Sequence, residues 1–121
     1  MKIVIQSADG TVALEKEAKV EDAVNAFKKH NWDAEKKKQN ELEIAHKEAA
    51  PACMVIEDAE GNTLKICHEF TDYSSVTKTA VQRKKSLGLI PGKSVKTTSY
   101  DNVSNERAID MIRSFYASQQ A

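Results

Sequence analysis

Apolar and polar residues alternate twice across Ala52–Phe70, ACMVIEDAEGNTLKICHEF, on either side of the turn-forming run Asp58-Ala59-Glu60-Gly61-Asn62. That pattern predicts a β-hairpin. Pairing Ile56 with Leu64 and Met54 with Ile66 puts four large apolar side chains on one face. The other face then carries Cys53, Val55 and Glu57 opposite Cys67, Lys65 and Thr63. A one-residue slip would mix the faces, so the pattern sets the parity of the register, although a two-residue shift would preserve it. A lone hairpin is marginally stable, so the flanking chain must supply more strands and a helical layer.

Upstream, Lys2–Gln6 reads as a short strand, Asp9-Gly10 as a tight two-residue turn and Thr11–Lys16 as the return strand. This places Val12 and Leu14 on the face of Ile5. From Val20 the period changes: Val20, Ala23, Val24 and Phe27 fall at helical spacing, with acids first and lysines last. A second helix, Trp32–Lys47, is expected to be capped by Asn31 and stopped before Pro51. Its narrow apolar stripe is Trp32, Leu42, Ile44 and Ala45. Trp32 itself is expected to bury against the sheet, with an exposed anchor for a partner as the alternative.

Downstream, Val76, Thr77, Thr79 and Val81 favour a strand over 74–83, against a competing helix through Val76, Ala80 and Arg83. Leu87–Gly92 reads as a loop with an apolar tip, and Ser94–Tyr100 as another strand. Ser104 should cap a final helix to about Ala117 that buries Ala108, Ile109, Ile112, Phe115 and Tyr116. The fold class is therefore α+β: one domain over residues 1–121, an antiparallel meander of four to six strands with two or three helices packed on it. Its expected core is Met54, Ile56, Leu64, Ile66, Val24, Phe27, Ile109, Ile112 and Phe115.

Charge adds one feature. The 121 residues carry 18 basic and 18 acidic side chains. Counted along the chain, residues 1–72 hold 10 basic against 15 acidic and residues 73–121 hold 8 against 3. Between Tyr73 and Tyr100 stand six basic residues (Lys78, Arg83, Lys84, Lys85, Lys93 and Lys96) and no acid. These six are the candidate partner-binding residues, for an acidic protein surface or for phosphates. No aromatic lies inside the window, so a base-stacking platform is not evident. The plainer reading is a solvated hairpin whose lysines discourage edge pairing.

Other chemistry is thin. Cys53 and Cys67 would face each other across the hairpin, within disulfide range, or stand reduced as small half-buried residues. A zinc site from these cysteines with His46 and His68 fits no usual spacing, since Cys67 and His68 point to opposite faces of a strand. A general acid–base group from His68 with Glu69 and Asp72 has no supporting motif. No enzyme activity and no cofactor are expected. With no apolar run of bilayer length and no signal-like N-terminus, the cytoplasm is the expected location.

Three stretches together resemble the small immunity proteins of bacterial polymorphic toxin systems. They are Asp22-Ala-Val-Asn-Ala-Phe27 leading to Asn31-Trp-Asp-Ala-Glu35, the hairpin Pro51-Ala-Cys-Met-Val-Ile with Gly61-Asn-Thr-Leu-Lys-Ile, and Val103–Phe115. The resemblance implies a non-catalytic domain that binds and neutralises a cognate toxin. The basic window departs from the acidic surface common in inhibitors of nucleic-acid-cleaving toxins, and fits an acidic toxin surface. The alternative is a nucleic-acid-binding module using the stretch from Lys78 to Lys96.

Overall fold

A computed structural model describes residues 1–70, 73–84 and 92–119; for 70, 82–84, 92–94 and 119 it describes the backbone. The described chain runs β1 (Lys2–Gln6), β2 (Val12–Glu17), α1 (Val20–Lys29), α2 (Trp32–Ile44), β3 (Cys53–Glu57), β4 (Thr63–Phe70), β5 (Tyr73–Lys84), β6 (Gly92–Ser104) and α3 (Asn105–Gln119). The six strands form one antiparallel sheet in the order β2-β1-β3-β4-β5-β6. From β3 onward this is the expected meander. Before β3, the helical crossover through α1 and α2 returns the chain beside β1, leaving β2 on the edge.

The central hairpin has the register that its alternation demands: Ile56 opposes Leu64, Met54 opposes Ile66 and Cys53 opposes Cys67. Ile3, Ile5, Met54, Ile56, Leu64, Ile66 and Val76 are all at most 1% exposed, and they define the face under the helices. From the helical side come Ala23, Val24 and Phe27 of α1, Trp32 of α2, and Ala108, Ile112, Phe115 and Tyr116 of α3. Ile109 is partly buried against this core. The segment 76–83 is strand, as its β-branched residues favour.

Helix ends follow local chemistry. Asn31 Oδ1 accepts from Ala34 N–H at 3.0 Å and starts α2; Ser104 Oγ accepts from Arg107 N–H at 3.2 Å and starts α3. α2 stops at Ile44, short of the expected Lys47. His46 takes a left-handed φ of 56°, its N–H bonds Glu43 C=O, and Lys47 N–H bonds Leu42 C=O. Those paired bonds are a Schellman ending, which needs no help from Pro51.

The stripe by which α2 docks is also a correction. Ile44 is 80% exposed, and Ala45 is exposed too. Of the expected stripe, Trp32 is buried and Leu42 half-buried, and the rest of the side facing the protein is polar: Glu35, Lys38 and Gln39. Glu35 accepts from Ser7 Oγ (2.8 Å) and Ala8 N–H (2.7 Å), while Lys38 donates to Ser7 Oγ (3.2 Å) and pairs with Asp9 (2.9 Å). The hydroxyl of Thr11 and the Lys38 ammonium hold the Asp9 carboxyl well below the usual carboxylate range.

Two irregularities redirect side chains. The β1–β2 connection is a three-residue loop, 8–10, with Ser7 N–H bonded to Thr11 C=O and Gly10 at φ 87°. The register then shifts at Ile5/Gln6, so Leu14 opposes Ile5 but Val12 opposes Gln6. Val12 therefore leaves the face expected for it and is 56% exposed. In β6, residues between Tyr100 and Val103 bulge, with Asn102 at φ 54°. That extra residue turns Val103 back into the core and carries the strand on to Ser104, beyond the expected end at Tyr100.

Tyr116 ties the last helix to the start of the first. Its hydroxyl donates to Ala18 C=O at 3.0 Å, beside the ion pair of Arg113 with Glu21. Burial, with Glu17 and Asp22 nearby, pushes the phenol from 10.0 up to about 12. The folded protein thus keeps a proton that the unfolded chain loses near pH 10, so this contribution is whole below pH 10 and lost between 10 and about 12. Tyr116→Phe should cost about 1 kcal/mol at neutral pH in urea unfolding. The gap between wild type and variant should close as pH rises through that window.

Candidate binding surface

Five of the six basic candidates, Lys78, Arg83, Lys84, Lys93 and Lys96, lie on the β5–β6 ribbon, the far edge of the sheet from β2. The two strands pair at eleven positions, from Tyr73 opposite Ser104 to Lys84 opposite Gly92. β4 begins at Thr63, opposite Thr79, so the pairs from Ala80–Lys96 to Lys84–Gly92 extend past it. At about 3.4 Å per residue, these five pairs make a two-stranded arm about 17 Å long.

Register decides which cations meet. Arg83 stands directly opposite Lys93, Lys84 opposite Gly92, and Lys96 opposite Ala80. Lys78 sits between Leu64 on β4 and Thr98 on β6 and is half-buried, whereas Lys96 is exposed. Among the described residues neither Lys78 nor Lys96 has an ion-pair partner. Lys85 and the apolar tip at Leu87, Leu89 and Ile90 lie outside the described residues, as does Asp72. A like-charged pair directly across an antiparallel ladder is unfavourable by roughly 0.2–1 kcal/mol, and an anion laid on the ribbon would relieve it.

The root of the arm is held by the β3–β4 turn, a role that composition did not reveal. Asp58 Oδ1 accepts from the N–H groups of Glu60 and Asn62, both at 2.9 Å, and Asp58 Oδ2 accepts from Asn62 Nδ2 at 2.7 Å. The Asn62 side chain, 8% exposed, is thereby aimed so that its Oδ1 accepts from Val81 N–H at 2.8 Å. Gly61, at φ 92°, fits the turn against Val81: a Cβ there would lie 3.5 Å from Val81 Cγ2, so backbone conformation rather than space selects glycine. In the sequence Asn62 looked only like a turn former.

A second cluster lies under α2. Trp32 donates its indole N–H to Phe27 C=O at 2.8 Å. His68, 3% exposed, stacks on the indole with centroids 5.6 Å apart, and His30 meets it edge-on at 4.5 Å. Trp32 is thus a core residue. His68 lies beneath it rather than beside an open groove with Glu69. His30 Nε2 lies 3.5 Å from Glu35, whose carboxylate already holds Ser7 and Ala8. The Ser7–Lys38 contact resembles a nucleophile with its base, but the hydrogen bond and charge of Asp9 raise the Lys38 ammonium and keep it protonated. That group fastens the helix to the first hairpin.

Comparison with protein-family models, with curated proteins and with solved structures gave no match.

Replacing Asn62 by Ala removes the acceptor of the Val81 amide and the donor to Asp58. Asn62→Ala should destabilise the fold by about 1–3 kcal/mol. Hydrogen exchange should quicken most at Val81 and least in the central pair β3–β4. Equal acceleration at both places would mean that Asn62 does not serve the arm in particular.

Proposed function

We propose that this chain is a non-catalytic binding domain that docks an acidic surface of a partner protein through its basic β5–β6 arm, as an immunity protein neutralising a cognate toxin would. The observation that carries this reading is the register: it sets Arg83 against Lys93 within a ribbon that also bears Lys78, Lys84 and Lys96. Cations concentrated on a projecting arm gain more from an anionic partner than cations scattered over a surface, because a partner surface meets several of them at once. The resemblance of three segments to toxin-neutralising proteins supports the choice of a protein as that partner.

A second reading rests on the shape of the arm. A two-stranded antiparallel ribbon is one of the elements that the DNA major groove admits. Basic residues along such a ribbon would contact phosphates and position it.

Two experiments separate the readings. Co-expression with the products of the flanking genes should give a 1:1 complex by sedimentation. Reversing K78E together with K96E should raise its Kd by about tenfold or more, mostly by slowing association. Failure of every flanking product to bind would overturn the first reading. For the second, duplex DNA and single-stranded RNA are titrated across a salt series: affinity should fall steeply and linearly on a log–log plot. Absence of binding at low salt would end it.

A further inference from the structure

The two cysteines lie outside the function just proposed. Their sulfurs are bonded, joining Cys53 of β3 to Cys67 of β4 across the middle of the sheet. Neighbouring bonds identify the kind of position they occupy. His68 N–H donates to Ala52 C=O at 3.0 Å, and Asp58 N–H to Asn62 C=O at 3.1 Å. Counting inward from either bond along the register makes Cys53–Cys67 a non-hydrogen-bonded pair, where opposed residues approach most closely. Their Cα atoms are 4.1 Å apart.

This bond does little that the hairpin does not already do. It spans a sequence separation of 14. Within that span the strands are already closed by the hydrogen-bonded Asp58–Asn62 turn and by the buried pairs Ile56–Leu64 and Met54–Ile66. Both cysteines lie on the sheet face opposite the helices, in a row that runs Gln6, Cys53, Cys67, Ser75. The two residues differ in exposure: Cys53 is buried at 6%, whereas Cys67 is half-buried. Lys65 precedes Cys67 on the same strand and the same face, and Val55 follows Cys53.

We propose that Cys53–Cys67 is a thiol–disulfide exchange site on the open face of the sheet, taking a small thiol of the glutathione class at the Cys67 sulfur. In the first step the incoming thiolate attacks Cys67 Sγ. A mixed disulfide forms at Cys67, the Cys53–Cys67 bond breaks, and its electron pair leaves on Cys53 as a thiolate that takes up a proton. A second thiolate attacks the sulfur of the mixed disulfide that came from the first thiol and releases Cys67. Two thiols are thereby oxidised to one disulfide while the protein disulfide is reduced to two thiols. Lys65 stabilises the anions that approach and depart, and the hydrogen-bonded turn and buried apolar pairs hold the sheet while the sulfurs are apart.

The folded protein is equilibrated in buffers of graded reduced-to-oxidised glutathione, quenched by alkylation and weighed intact, with far-ultraviolet circular dichroism on the same samples. We expect conversion between disulfide and dithiol without denaturant and an unchanged sheet signal. Cys53→Ser, which leaves Cys67 alone, should accumulate the glutathione adduct about tenfold faster than Cys67→Ser, following the difference in exposure. The double variant C53S/C67S should melt cooperatively with the same sheet signal, which keeps the test valid if a single variant misfolds. Reduction only in denaturant, or only with loss of the sheet, would make the bond a structural staple and overturn the proposal. Equal adduct formation at both sulfurs would overturn the assignment of Cys67.

Discussion

The opposition of Ile56 to Leu64 and of Met54 to Ile66 is the constraint on which the other contacts depend. These four side chains are buried to within 1%. They occupy the two strands that sit third and fourth in the six-stranded order, so both halves of the sheet inherit their parity. On one side β1 lays Ile3 against Ile56 and Ile5 against Met54. On the other, β5 lays Val76 against Ile66. Shift the central pair by one residue and the helices would meet Cys53, Glu57 and Lys65 instead of an apolar floor.

The helices attach to that floor by different means. α1 and α3 bury aliphatic and aromatic residues at helical spacing, and the Tyr116 and Arg113 contacts join them near one end. α2 uses one aromatic and a set of hydrogen bonds: Trp32 is held by its indole N–H, and Glu35 gathers Ser7 and Ala8. Hydrogen-bonded docking of this kind is directional. It sets the angle of α2 against the first hairpin more tightly than a narrow greasy stripe would, at the cost of depending on charged groups that meet only in the folded chain.

These differences explain what could be read from the residues alone. Elements whose burial is apolar announce themselves by period, which is why the central hairpin, α1 and α3 were legible, down to the pairing of Cys53 with Cys67. The polar part of the buried face of α2 was not, because Glu35 and Lys38 look like surface residues until their partners Ser7, Ala8 and Asp9, 27 to 31 positions away, are known. Bulges are equally silent: nothing in the alternation of 11–14 shows that Val12 will slip to the face of Gln6, and nothing around Asn102 shows that the strand continues. For the candidate surface, composition located the cations, whereas their opposition depended on the register of β5 against β6, which alternation alone does not fix. Asn62 reads as a turn residue because its second job, accepting from Val81, is visible only once β5 lies alongside β4.

The strand order has one more consequence. It carries the chain from an outer strand bearing Glu15 and Glu17 to an opposite outer ribbon bearing Lys78, Arg83, Lys84, Lys93 and Lys96, with balanced totals of positive and negative charge. A chain with equal totals of each sign and its cations gathered toward one edge of the sheet has almost no monopole but an uneven field across the strands. At a distance it is neither drawn nor repelled; on approach to a charged body it experiences a torque. Encounters would begin by rotation, turning the basic arm forward before contact is made.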